Sequence, residues 1–116
     1  MNRRLRTSCA AALLLAACEG GPPIDTEFDY SAGLVSVELL GDGFVRVDRR
    51  RIPLERLVLE LRQATREMEP TELLRYVVRL RLAKVRDGES ARIQQGSRAR
   101  LLSELEIMGV RQIVYL

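Results

Sequence analysis

Between Leu34 and Leu40 the chain alternates apolar and polar positions. Val35, Val37 and Leu39 fall on one side, Ser36 and Glu38 on the other. A period of two is that of a strand with one buried face. Gly41-Asp42-Gly43 follows, a tight-turn signal because glycine tolerates the positive φ that hairpin turns need. Phe44-Val45-Arg46-Val47 resumes the alternation, so the two runs predict a β-hairpin. Asp48 to Arg51 reads as a polar turn, and Ile52-Pro53 leads into a helix with Pro53 at or just before its first turn.

From Leu54 the period lengthens. Leu54, Leu57, Val58, Leu61, Thr65 and Met68 share one helical stripe, while Glu55, Arg56, Glu60, Arg62, Arg66 and Glu67 cover the remainder. Pro70 disfavours helix at the residue before it, so the helix stops by Glu69. Thr71 to Arg75 reads as a short turn. Tyr76, Val78, Leu80 and Leu82 then alternate with Val77, Arg79, Arg81 and Ala83, a second clear strand, and Asp87-Gly88 marks a turn. Ala91 to Gly96 fits either a short strand around Arg92-Ile93-Gln94 or a loop. Ser97 is a plausible N-cap for a second helix, with Leu101, Leu102, Leu105 and Met108 as its stripe. Gly109 ends that helix, Val110 follows as the hydrophobic residue of such a cap, and Ile113 to Leu116 make a terminal strand. The order β-β-α-β-α-β predicts an α+β two-layer sandwich, a small mixed sheet with helices on one face.

Upstream the pattern breaks down. Glu19 to Gly33 holds Gly20, Gly21, Pro22, Pro23 and Gly33, scattered acids and isolated apolar residues (Ile24, Phe28 and Tyr30), and reads as a largely solvated acidic tether. Before it, Arg3, Arg4 and Arg6 precede an apolar run from Ala10 to Ala17, which closes in Leu15-Ala16-Ala17-Cys18. A basic start, a short apolar segment and small residues before a cut describe a secretory signal peptide. The closing cysteine looks like the lipobox of bacterial lipoproteins, in which the cysteine is acylated and the peptide is cut just before it. Residues 1–17 would then be a cleaved signal and Cys18 the lipidated first residue of a protein held on the cell envelope, with its domain in the periplasm. A membrane-spanning helix needs roughly 20 apolar residues, and Ala10 to Ala17 falls far short.

Processing changes the charge picture. Removing residues 1–17 from the 116 leaves 99, enough for one modest domain. Losing Arg3, Arg4 and Arg6 reduces the 19 basic residues to 16, equal to the 16 acidic ones. The mature chain is neutral, so the basic balance of the whole sequence gives no reason to expect nucleic acid as a partner. Of the two cysteines, Cys9 is discarded and Cys18 consumed. With no histidine and a single lysine, Lys84, the commonest general base, metal ligand and thiol nucleophile are lacking. The expectation is a non-catalytic protein with no cofactor and no metal.

Several stretches together are similar to the periplasmic domain of the ExbD/TolR biopolymer-transport proteins. They are Val35-Ser36-Val37-Glu38-Leu39, Asp42-Gly43-Phe44-Val45-Arg46-Val47, Ile52 to Leu57, Val77-Val78-Arg79-Leu80 and Leu101 to Ile113 with its Gly109-Val110 pair. The resemblance runs from Leu34 to Leu116. It implies a domain that binds or assembles in envelope transport or integrity, homodimers through C-terminal strands (here Ile113, Val114, Tyr115 and Leu116), and a channel-forming membrane partner. Two departures stand out. Leu82 to Leu101 is longer than the family pattern, which suggests an added hairpin or loop. The family's transmembrane helix carries a membrane-embedded aspartate for proton coupling, and residues 10–17 hold no acid. A charge in hydrocarbon is costly and kept for function, so its loss implies loss of the motor role.

Arginine is the remaining candidate chemistry. Arg49-Arg50-Arg51, following Arg46, is either a contact for anionic envelope polymer, lipid headgroups or an acidic partner loop, or a solvated turn partly offset by Asp48. Arg79 and Arg81, on the outward face of their strand, are either part of a polar binding surface, for peptidoglycan or another ligand, or simply solvated. The lipobox makes the first testable claim. Cys18→Ser is expected to move the protein from the membrane to the soluble fraction with the domain still folded. A variant that stays membrane-bound and uncleaved on fractionation and blotting refutes the anchor.

Overall fold

The computed structural model describes residues 28–116. Its elements are a 3-10 turn at Tyr30–Ala32, strands β1 (Leu34–Leu39), β2 (Phe44–Val47) and β3 (Arg50–Pro53), helices α1 (Leu54–Arg66) and α2 (Pro70–Arg75), strand β4 (Val77–Leu82), helix α3 (Gly88–Met108) and strand β5 (Gln112–Tyr115). The expected signal peptide, Cys18 and most of the expected tether lie outside the described residues. The five strands form one mixed sheet in the order β3-β2-β1-β4-β5. β1 pairs with β2 antiparallel and with β4 parallel, and β4 pairs with β5 parallel. The architecture is the α+β two-layer sandwich, with the helices against one face.

The core follows the alternation. Val35, Val37 and Leu39 of β1, Val45 and Val47 of β2, and Val78 and Leu80 of β4 are buried against Leu57, Val58 and Leu61 of α1 and Leu101 and Leu105 of α3. Helix α1 uses the expected stripe, and the Leu54 N–H donates to the Gly43 carbonyl, fixing the helix start to the hairpin turn. Gly109 ends α3 at φ +97, its N–H and that of Val110 closing on carbonyls of the last turn, with Val110 buried. Gly41 is a point of close approach. A Cβ there would lie 2.8 Å from both Ser90 Cβ and Val85 Cγ1.

Four segments differ from the sequence reading, and three of the differences involve a polar or isolated residue turned inward. Asp48 to Arg51 is not all turn. Asp48, at φ 59, and Arg49 make a two-residue turn, after which β3 runs back along β2 with Ile52 facing the core. Thr71 to Arg75 is part of α2, started by Pro70 and by a capping box between Glu69 and Glu72. Helix α3 begins at Gly88, capped by Asp87, which accepts from the Ser90 N–H, and not at Ser97. Ala91 to Gly96 is helix rather than strand or loop, so the extra length before Leu101 is two added turns of helix and not a hairpin. The apolar stripe fails there because Gln94 and Ser97 occupy the buried side. Gln94 satisfies its amide by donating to the Leu39 and Ala83 carbonyls at 3.0 and 2.7 Å.

The fourth difference lies at the domain's entrance. Phe28 to Gly33 belongs to the folded body and not to a solvated tether. Tyr30 is buried, meets Phe28 edge-on at 5.0 Å and donates its hydroxyl to Glu60 at 2.7 Å. Glu60 also accepts both guanidinium nitrogens of Arg50, at 3.2 and 2.9 Å, and Arg56 Nε at 3.0 Å. This carboxylate therefore joins the N-terminal segment, β3 and α1.

Burial alone would raise the Glu60 carboxyl, but the hydrogen bonds from Arg50, Tyr30 and Arg56 outweigh it and hold the pKa below the ordinary value. A folded value below the unfolded one (~4.3) gives stabilisation that is present above the unfolded pKa. It is lost as pH falls through the lowered folded value. Glu60→Gln is expected to cost about 2 kcal/mol at neutral pH, with the difference from wild type shrinking as both are acidified below pH ~4. Urea midpoints across that range check it. Gly41→Ala, which pushes into Ser90 and Val85, is expected to cost about 1–3 kcal/mol at all pH values.

Candidate functional site

The sheet has one covered face and one bare face, and the strand register decides what the bare face carries. Across β1 and β4, Leu34 lies beside Val77, Ser36 beside Arg79 and Glu38 beside Arg81. On the far side of β4, Gln112 lies beside Val77 and Val114 beside Arg79. Toward the other edge, Glu38 pairs with Arg46 and Arg46 with Arg51. The bare face thus brings together Arg46 and Arg51 of the β2–β3 hairpin with Arg79 and Arg81 of β4.

These four arginines are not equivalent. Arg46 donates to Glu38 at 2.7 Å. Arg51 is ion-paired with Asp42 in the hairpin turn and stacks its guanidinium over the Phe44 ring at 4.0 Å. Glu38 and Asp42 are therefore engaged toward the β3 side. Arg79 faces only Ser36 and Val114 across the ladders, neither of which can neutralise it, and the carboxylate opposite Arg81 is held by Arg46. Arg79 and Arg81 have no hydrogen bond, ion pair or ring contact among the described residues. They border a shallow groove of ≈ 430 Å³ with Ser36, Glu38, Asp48 and Leu116. A guanidinium offers planar paired donors suited to carboxylate or phosphate oxygens, so Arg79 and Arg81 are the candidate anion contacts of a groove that also carries Glu38 and Asp48.

The other two candidates separate from this surface. Arg50 points to the helix side of β3, with only 10% of its side chain exposed, and is committed to Glu60. Its role is structural. Arg49 sits exposed at the tip of the Asp48-Arg49 turn. The triple-arginine run is thus divided among three environments. The terminal strand Ile113, Val114, Tyr115 and Leu116 occupies an edge of the sheet, not its interior. Ile113 is half-buried, the other three are exposed, and Arg98 of α3 lies over the Tyr115 ring at 5.1 Å.

A second concavity escaped the sequence reading. A cleft of ≈ 740 Å³ lies where the segment from Phe28 to Gly33 meets α1, α2 and the start of β4, with Tyr30, Met68 and Tyr76 among its apolar lining and Glu67 and Arg75 among its polar lining. The Tyr76 hydroxyl is buried with no hydrogen-bond partner, and burial, with a smaller contribution from Asp29, pushes its pKa up to about 12. No pattern in the chain marks the cleft, because Tyr30 is an isolated aromatic in a Gly/Pro-rich stretch. On the helix side, Glu104 is held by Arg62 at 2.6 Å and by Arg100, which also grips Glu55 at 2.8 Å. The first of these partners depresses its carboxyl most.

Among the described residues no cluster of three or more His, Cys, Asp or Glu is placed to hold a metal, and no helix is long and apolar enough to cross a membrane. The chain matches no protein-family model, and no curated protein matches it.

The difference between the arginines predicts different costs. Arg79→Gln and Arg81→Gln are each expected to change stability by less than ~0.5 kcal/mol, as ordinary surface substitutions. Arg50→Gln, which removes the bidentate partner of a largely buried carboxylate, is expected to cost about 2–3 kcal/mol. Equal urea midpoints for the three variants would contradict the division.

Proposed function

We propose that this chain is a lipid-anchored cell-envelope protein whose ExbD/TolR-like domain acts by contact, without catalysis, in envelope transport or integrity. The observation that carries the reading is the one-sided sheet. Its helices cover one face, and the other is left with two unpaired arginines and an exposed edge strand, β5. An open edge offers backbone donors and acceptors to another strand. β5 has no charged side chain after Arg111 to discourage such pairing.

The element order supports the resemblance. Strand, Asp-Gly turn, strand, helix, central strand and closing helix with Gly109-Val110 all occur in the expected succession. Lipidation at Cys18 in place of an acid-bearing membrane helix leaves assembly, with a second copy or with a channel-forming membrane protein, as the role. A second reading, in which the domain binds peptidoglycan or another anionic ligand, is favoured by the Arg79–Arg81 groove.

In-cell photo-crosslinking from position 115 separates the two. Crosslinks to a second copy or to a channel-forming membrane protein are expected. Co-sedimentation with sacculi that Arg79→Gln/Arg81→Gln abolishes, with no crosslink at position 115, would replace the first reading with the second.

A further inference from the structure

The bare face combines charge with exposed aliphatic side chains. Leu34, Val114 and Leu116 are 42%, 45% and 51% exposed, and they flank Arg79 and Arg81 along β1 and β5. Four arginines stand there against Glu38, Asp42 and Asp48, and the first two of these acids are already engaged by Arg46 and Arg51. The face carries a surplus of one positive charge, and its two unengaged arginines lie on β4, at the middle of an apolar margin. A hydrated polyanion would use the arginines and gain nothing from the aliphatic side chains. A bilayer surface uses both, taking guanidinium groups at the phosphates and apolar side chains at the headgroup–acyl boundary.

From this we infer that the bare face of the sheet rests on the anionic phospholipid surface to which the chain is anchored, with Arg79 and Arg81 as its phosphate contacts. The inference rests on lipidation at Cys18. Each arginine near an anionic leaflet raises the bound population about fivefold, and the pair about 30-fold. That is too little to recruit a free protein. A domain already tethered to the same surface sits at an effective concentration on the order of millimolar, and there the same preference decides which face lies down. The two arginines orient the domain; the anchor holds it. In this orientation β5 lies beside the membrane with its free edge directed along it, and the helix layer faces away.

The test uses the full lipoprotein, purified and reconstituted into vesicles of phosphatidylethanolamine with or without ~30% phosphatidylglycerol, a content that places charge at the surface. Its mass first reports acylation. A fluorophore is attached at Val114→Cys on the bare face or at Leu59→Cys, half-exposed on α1, and quenching by lipids brominated near the headgroup is measured. Quenching at position 114 is expected to exceed that at 59 several-fold in phosphatidylglycerol vesicles. The two should become equal in Arg79→Gln/Arg81→Gln, in high salt, or without phosphatidylglycerol. Acylated protein with equal quenching at both positions, or with stronger quenching at 59, overturns the orientation while leaving the anchor intact. Added sacculi that abolish the quenching at 114 overturn it in favour of the cell wall. Protein without acyl chains overturns the anchor and the orientation together.

Discussion

The parallel pairing of β1 with β4 is the constraint on which the rest of this domain depends. The ladder runs from Leu34–Val77 to Leu39–Leu82 without a break. Parallel neighbours need a crossover connection, and here β2, β3, α1 and α2 all lie within it. The same ladder sorts the side chains. Val35, Val37, Leu39, Val78 and Leu80 go under the helices, while Ser36, Glu38, Arg79 and Arg81 go to the opposite face. A register slip of one residue would bury two arginines and expose the core, so the ladder specifies both the fold and the make-up of the bare face.

Where one face of an element is purely apolar, the sequence was sufficient to read it. β1, β2, β4, α1 and the second half of α3 follow from period alone. The failures at β3 and in the first half of α3 share a physical cause, a polar inward residue satisfied by a partner far along the chain. Arg50 hid β3 because its partner Glu60 belongs to the following helix. Gln94 and Ser97 hid the first half of α3, and Gln94 is satisfied by carbonyls of β1 and of the segment after β4. Neither satisfaction is visible in a hydropathy pattern. Two local signals were nonetheless present, since Asp87 with Ser90 and Glu69 with Glu72 are capping pairs that mark both helix starts.

The candidate surface was legible only in part. That Arg79 and Arg81 point outward follows from alternation within one strand. That they lack counter-charges follows from the register between strands, which places Ser36 and Val114 beside one of them and leaves Glu38 to Arg46. The same register breaks up the Arg49-Arg50-Arg51 run, which looks like one patch in sequence and is three environments in space. A run of like charges marks a surface only when successive residues face the same way, and in a strand they do not.

The Glu60 carboxylate ties the first described residues to the domain. By holding Tyr30 on α1, it places Phe28 to Gly33 in the folded body. With Cys18 lipidated as proposed, the ten residues from it to Phe28 would span at most ~35 Å. Two packed layers of a sandwich are together roughly 20 Å thick, so this reach allows either face of the domain to meet the bilayer. Tether length therefore does not choose the face. The choice falls to the surfaces themselves, and they differ. On the helix side Arg62 and Arg100 are spent on Glu55 and Glu104. On the bare side Arg79 and Arg81 are spent on nothing within the described domain. Among the described residues, the unpaired arginines of α1 and α3, Arg66 and Arg92, stand beside the unpaired acids Glu67 and Glu89, whereas Arg79 and Arg81 stand amid exposed aliphatic side chains, and this is the asymmetry on which the proposed bilayer contact depends.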